Sequence, residues 1–155
     1  AIEIGRECEA AAMSLDERIN NSDGTSINSH SGLHVYGNSH GFIAGNPSSR
    51  HSLSCSVIGE EGGRMQRDHW YTLARNPAQL EEAQQVGKKA GQRTLARLGA
   101  RKISTQETPV IIQADIAGSL LGGLTGAISG SALYRQASFL LDHMGKQIFP
   151  EYIQI

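Results

Sequence analysis

The sequence predicts an α+β fold, an antiparallel meander sheet with packed helices. Three observations carry that expectation. Short alternating runs separated by turn signals fill residues 18–71. A helix with a clear start and stop occupies residues 76–98. An apolar run, an uncharged glycine-rich helix and a second apolar run then complete the chain. The order is strands, helix, strand, helix, strand, which suits an antiparallel sheet with helices laid against it.

Each element has its own reason. In residues 1–15, Ile4, Cys8, Ala11, Ala12 and Leu15 recur on one helical face. From Arg18 the texture changes. Turn signals fall at Asn21-Ser22-Asp23-Gly24, Gly37-Asn38, Gly45-Asn46-Pro47-Ser48 and Glu61-Gly62-Gly63. Between them Leu33 and Val35, with Gly37, share one face, and Leu53, Cys55 and Val57 share one face against Ser52, Ser54 and Ser56. This spacing predicts about four to five strands, ending near Tyr71. Asn76 suits a helix N-cap, Pro77 the first helical position, and Gln79 completes a capping box. Leu80, Ala83, Gly87, Ala90, Gly91, Thr94 and Leu98 then form a stripe at helical spacing, and Gly99 stands where a helix ends. Pro109–Ile112 reads as a short buried strand, and Ile148–Ile155 as a terminal strand.

Gly118, Gly122, Gly126 and Gly130 stand four apart in a stretch without charge, so a continuous helix would carry them as one ridge. Each glycine inside a helix costs about 0.5–1 kcal/mol against alanine. The ridge is therefore expected to meet another backbone at close range. The stretch between Asp115 and Arg135 is also long enough to span a bilayer. Its five glycines and three serines against six Ile or Leu dilute that signal, and no membrane association is expected.

The composition excludes several functions. With 14 basic and 15 acidic residues the formal charge is −1, which leaves no electrostatic footprint for nucleic acid. No signal peptide opens the chain. It begins without Met and ends on an apolar run, so it reads as a piece of a longer protein. Cys8 and Cys55 have no metal-ligand spacing; they could pair in an oxidising compartment, but nothing else suggests secretion.

Candidate chemistry is sparse. His30, His34 and His40 cluster in sequence. A two-residue turn at Gly37-Asn38 would pair Val35 with His40 and send His34 to the other face, which breaks the cluster. His51, His69 and His143 are isolated. No G-x-S-x-G or phosphate-binding glycine loop occurs. Cys55, flanked by serines, reads as a small buried hydrophobe. Glu60, Glu61, Asp68, Glu81 and Glu82 read as solvated charge.

Longer strings carry a resemblance. Asn38-Ser39-His40-Gly41-Phe42, Met65-Gln66-Arg67-Asp68 with Trp70-Tyr71, Arg93-Thr94-Leu95-Ala96-Arg97-Leu98-Gly99-Ala100-Arg101-Lys102, the run Ala127 to Arg135, and Gly145-Lys146-Gln147-Ile148-Phe149-Pro150 resemble the PmbA (TldE) branch of the TldD/PmbA family, also labelled modulator of DNA gyrase. The resemblance runs from about Asn20 to the C-terminus. It implies a bacterial, cytoplasmic metallopeptidase that works as a TldD–PmbA heterodimer on unfolded peptides, including leader peptides of modified peptide antibiotics and an antitoxin. It also implies a division into residues 1–105, the end of an N-terminal α+β domain, and 106–155, the start of a C-terminal sheet domain.

The TldD branch carries H-E-x-x-x-H on a helix, with histidines for zinc and a glutamate as general base. Laid on this sequence through Leu120-Leu121 and Gly126, those positions fall on Gly122, Gly123 and Ala127. None has a side chain that could hold a metal or move a proton. The resemblance therefore implies no catalytic residue, metal ligand or cofactor in this chain, and zinc in a TldD-like partner. Asn38, His40, Tyr134 and Arg135, inside the resembling strings, are the candidate contacts for peptide or partner. The alternative is a metal-free peptide-binding or scaffold protein with no peptidase partner; an independent hydrolase with an unrecognised nucleophile is the remaining class.

Overall fold

A computed structural model describes residues 1–153. They fall into two compact units, one of residues 1–103 and one that starts at Ser104. The first contains helix α1 (Ile2–Met13), strands β1 (Ile19–Gly37), β2 (Ile43–Glu61) and β3 (Arg64–Ala74), and helix α2 (Ala83–Arg97). The strands form one antiparallel sheet in the order β1-β2-β3. The fold is α+β, with helices packed on a three-stranded sheet.

The core lies between the two helices and one face of the sheet. Leu53, Cys55 and Val57 project from β2 toward Cys8 and Ala12 of α1 and Ala83, Val86 and Ala90 of α2. Ile19 closes one end of this cluster, and Met13, Trp70 and Leu95 pack around it. Most of these side chains are small, which lets the helices come very close. A Cβ on Gly87 would overlap the Cys8 carbonyl oxygen and stand 3.0 Å from its carbon. One on Gly91 would lie 3.2 Å from the Ala12 carbonyl oxygen. Thr94 is fully buried, and its hydroxyl donates to the Ala90 carbonyl at 3.0 Å.

The sheet has three long strands, not four or five. The segment Asn21–Gly24 is not a turn; it carries the register shifts of a bulged strand, with Gly24 at φ +103. Residues Gly45–Ser48 are not a turn either, because β2 runs straight through them. Pro47 is tolerated there because β3 pairs with β2 only up to His51↔Ala74, leaving that stretch of β2 without a neighbour on its other side. The predicted two-residue turn at Gly37-Asn38 is a five-residue loop, since β1 and β2 end on the pair Gly37↔Ile43. By contrast, Gly62 and Gly63, at φ +58 and +74, turn β2 into β3 where the sequence places them.

The predicted helix 76–98 is divided. Asn76 accepts a hydrogen bond from the Ala78 amide and starts a single 3₁₀ turn, Pro77–Gln79. The chain then extends before α2 begins at Ala83. Tertiary hydrogen bonds hold that break: the Glu81 amide donates to Thr72 Oγ1 at 3.1 Å, and Trp70 Nε1 donates to the Glu81 carboxylate at 3.3 Å. Gly99 follows α2 at φ +68, as a helix-ending glycine should.

The second unit holds helices α3 (Ala114–Ala127) and α4 (Gly130–Tyr134) and no strand among its described residues. Pro109–Ile112 is not a strand, and Ile111 is 98% exposed. Residues 148–153 form turns rather than the predicted terminal strand, whose last two residues lie outside the described part. A strand exists only by pairing, and the second unit holds no described strand with which either run could pair. Among the described residues no helix is long and apolar enough to cross a membrane.

Candidate functional site

The helix onto which the zinc motif aligns is α3. Gly122 and Gly123 are exposed and Ala127 is buried. The helix's hydroxyls are turned back on its own carbonyls: Ser119 donates to Ile116 at 2.7 Å and Thr125 to Gly122 at 2.9 Å. Among the described residues no three His, Cys, Asp or Glu side chains gather where they could hold a metal. At Gly122, Gly123 and Ala127 no side chain offers a donor, so these three residues do not fit a zinc ion.

The glycine ridge corrects an expectation. Among the described residues, a Cβ built on Gly118, Gly122, Gly126 or Gly130 meets nothing within 4 Å. The ridge also does not lie on one helix. Ser129 starts a new helix by accepting from the Ala132 amide, so Gly130 belongs to α4. The close approach expected of this ridge is made instead by Gly87 and Gly91. Gly118 lines a cavity of about 560 Å³ with Leu121, Leu124 and Phe149, and Gly123 lines another of about 410 Å³ with Leu120, Phe139 and Ile148. The flanks of α3 are thus apolar grooves.

The four candidate contact residues fall in different units. Asn38 and His40 lie in the loop joining β1 to β2. Asn38 organises that loop: its Oδ1 accepts from the amides of His40 and Phe42 at 3.1 and 3.2 Å, and its own amide donates to the Phe42 carbonyl. Gly41 takes φ +83 to close the turn. His40 itself is exposed and, contrary to the predicted pairing, sits in the loop rather than beside Val35, which pairs with Gly45. Tyr134 ends α4 at 89% exposure. Arg135 folds back to donate to the Ser131 carbonyl at 3.2 Å. Of the other histidines, His30 pairs across the ladder with Arg50 and His34 with Asn46.

The best-organised polar group was read from sequence as solvated charge. Asp68 on β3 is nearly buried; it accepts from the His69 amide at 2.7 Å and from Arg93 and Arg97 of α2 at 3.5 Å each. Beside it, Trp70 lies under Lys89 and Arg93, at 4.9 and 5.4 Å from the ring centroid. Lys89 also bonds Glu81 at 2.7 Å. The signal was available: Asp68 and Trp70 share a strand face, and Arg93 and Arg97 are one helical turn apart. This cluster anchors α2 to β3.

It has a pH consequence. Burial pushes the Asp68 carboxyl up, but the His69 amide and the two guanidiniums outweigh it and hold the group below the usual carboxylate range. A depressed folded value means its stabilisation is complete above the ordinary carboxylate pKa and is lost as pH falls through the lower, folded one. Urea melts of the wild type and Asp68→Asn should therefore differ most at neutral pH, and the gap should narrow at a pH below the ordinary carboxylate pKa of about 4. An equal gap at both pH values would show that the carboxylate's charge plays no part.

The architecture and sequence match known proteins over the whole chain. Residues 1–98 match the PmbA/TldA metallopeptidase central domain and residues 105–155 its C-terminal domain. The match includes residues 1–19, which the resembling strings left out. The chain is 48% identical over all 155 residues to the metalloprotease PmbA of Escherichia coli O157:H7, and 46% identical to a PmbA homolog of Haemophilus influenzae. It spans about a third of those relatives, 34% in each case. A Bacteroides thetaiotaomicron structure described as a modulator of DNA gyrase superposes with TM-score 0.86 at 28% identity, over 95% of this chain and 33% of that one. A Thermotoga maritima structure of similar description shares the fold, with TM-score 0.85 at 20% identity over 94% of this chain and 33% of that one. Two consecutive family domains and high identity along the entire length leave one assignment: the chain belongs to the PmbA/TldD metallopeptidase family.

Proposed function

We propose that this chain is the central and C-terminal part of a PmbA-type subunit that carries no zinc and completes a peptidase with a TldD-like partner. The reading rests on α3, where the resemblance lays a zinc-binding histidine pair and its general base on Gly122, Gly123 and Ala127. A glycine or alanine there can neither bind metal nor take a proton, which supports a reading in which the partner supplies the chemistry. The naming of relatives as metalloproteases supports membership of a hydrolytic system. In this reading the substrates are unfolded peptides, and the setting is the bacterial cytoplasm.

Peptide capture would use main-chain hydrogen bonds. β1 lies at the edge of the sheet, and an extended peptide added there would be held through its backbone, which suits substrates of varied sequence. Asn38 would shape the loop at the end of that edge, with His40 presented to the peptide or the partner. Tyr134 and Arg135 would be the corresponding contacts in the second unit.

Zinc content and partner capture test the reading together. The full-length protein, purified alone and dialysed, is expected to hold no stoichiometric zinc by elemental analysis. Tagged and expressed in its native host, it should co-purify with a protein bearing H-E-x-x-x-H. One tightly held zinc per chain would overturn the reading. A metal-free protein that captures no such partner would favour a peptide-binding scaffold instead.

A further inference from the structure

The β1–β2 hairpin outruns the rest of its sheet. β3 pairs with β2 only as far as His51↔Ala74, while β1 and β2 go on pairing to Gly37↔Ile43. The far part of the hairpin is therefore a two-stranded ribbon. Its pairing fixes which side chains share a face. Ile27 lies opposite Leu53, so the side of the sheet that carries the core continues through Leu33 opposite Pro47, Val35 opposite Gly45, and Ile43. Leu33 and Val35 close over Gly45, where a Cβ would stand 3.4 and 3.8 Å from them. This side of the ribbon is apolar, yet Leu33, Val35 and Ile43 are 67, 55 and 78% exposed. A two-stranded ribbon is marginal in water unless an apolar face is packed against something.

Helix α1 points along that face. Its C-terminal end lies by Ile19, since Ala12 and Ile19 both meet Gly91, and Gly5 nearer its start lies against Thr25. Followed backward, the helix heads along β1 toward Ile27 and then Leu33. At that end the core is unfinished. Ile4, Ile27, Leu53 and Leu80 line a cavity of about 260 Å³, and Ile2 is exposed. The first unit matches a central domain, and the chain spans 34% of its relatives. A domain that is central in its family has sequence ahead of it.

We propose that the residues directly ahead of Ala1 in the full-length protein cover this face, running from the start of α1 past Ile27 to Leu33 and Val35. Connectivity favours this occupant over a separate chain. A segment tethered to α1 is already at the uncovered face, and its effective concentration there is high. A partner or second copy would lose translational and rotational freedom to reach it. The face also sets the chemistry of the segment. Leu33, Val35 and Ile43 offer no charge to pair, so the side chains laid on them are apolar.

The test is site-specific photo-cross-linking in the full-length protein. Benzoylphenylalanine is placed at position 33 or 35, and at position 34 on the opposite face as control. Illumination is expected to give, from 33 and 35 but not from 34, an intramolecular link to a peptide that precedes Ala1 in the chain. A smaller side chain gives a second reading. The thiol of Val35→Cys should react with a maleimide about tenfold more slowly than that of His34→Cys, until urea is added. The proposal is overturned if the links run to a second copy, a TldD-like subunit or a bound peptide. It is equally overturned if no link reaches a residue ahead of Ala1, or if the two thiols react at the same rate.

Discussion

Replacing Gly87 by alanine should destabilise the first unit more than any other single-methyl change in the molecule. The added Cβ has no space, because it would overlap the Cys8 carbonyl oxygen and stand 3.2 Å from the Ala11 Cβ. The first obstacle is backbone, and a helix cannot move one carbonyl without moving its neighbours. α1 must shift bodily away from α2, which opens the contacts of Cys8, Ala12, Val86 and Ala90. Alanine returns about 1 kcal/mol of helix propensity. Overpacking typically costs about 1–3 kcal/mol and more where the backbone is the obstacle. A net loss of about 2 kcal/mol would lower the thermal midpoint of a domain this size by about 8–16 °C. Calorimetry of the full-length variant reads it directly. An unchanged or raised midpoint would mean that the helices do not touch at Gly87.

The same contact shows why the sequence revealed some elements and hid others. Helix ends and tight turns are local, so Asn76-Pro77, Gly62-Gly63 and Gly99 could be placed from composition alone. The stripe of α2 was legible, and Gly87 and Gly91 were in it. What a sequence does not show is which glycines face a neighbour. Gly118, Gly122 and Gly126 have the more regular spacing yet meet nothing within 4 Å, while Gly87 and Gly91 touch α1. Serine, asparagine and glycine hid the long hairpin. Residues such as Asn21–Gly24 and Gly45–Ser48 are turn formers by propensity, but continuous pairing across β1 and β2 outweighs that preference. The break before α2 depends on Thr72 and Trp70, at a distance no local pattern encodes. Asp68 was misread for the same reason, since its partners lie on a helix 25 and 29 residues away. For the candidate site the family strings supplied the whole expectation, because Gly122, Gly123 and Ala127 are marked only through the residues that flank them.

The largest expected effect is on activity. Assayed with an unstructured peptide, the full-length protein alone should show no cleavage above background, and adding a zinc-loaded TldD-like subunit should restore it. Peptide hydrolysis needs a nucleophile near neutral pH and a group to stabilise the oxyanion that develops. A metal site can supply both, by lowering the pKa of bound water to about 7 and by polarising the carbonyl. The motif positions offer no replacement: Gly122, Gly123 and Ala127 carry no functional group, and Ser119 and Thr125 are engaged with helix carbonyls. Cys55 is a free thiol buried on β2 within the core cluster. In the reconstituted pair, changing the partner's motif glutamate to glutamine should lower the rate by about 10²–10⁴, the usual contribution of general acid–base catalysis. Changing His34 here to alanine should leave the rate in the same order of magnitude, because His34 is exposed on β1 opposite Asn46 with no metal-ligand group around it. Cleavage by the purified chain alone that survives chelation would refute the two-subunit reading and direct attention to a nucleophile within this chain.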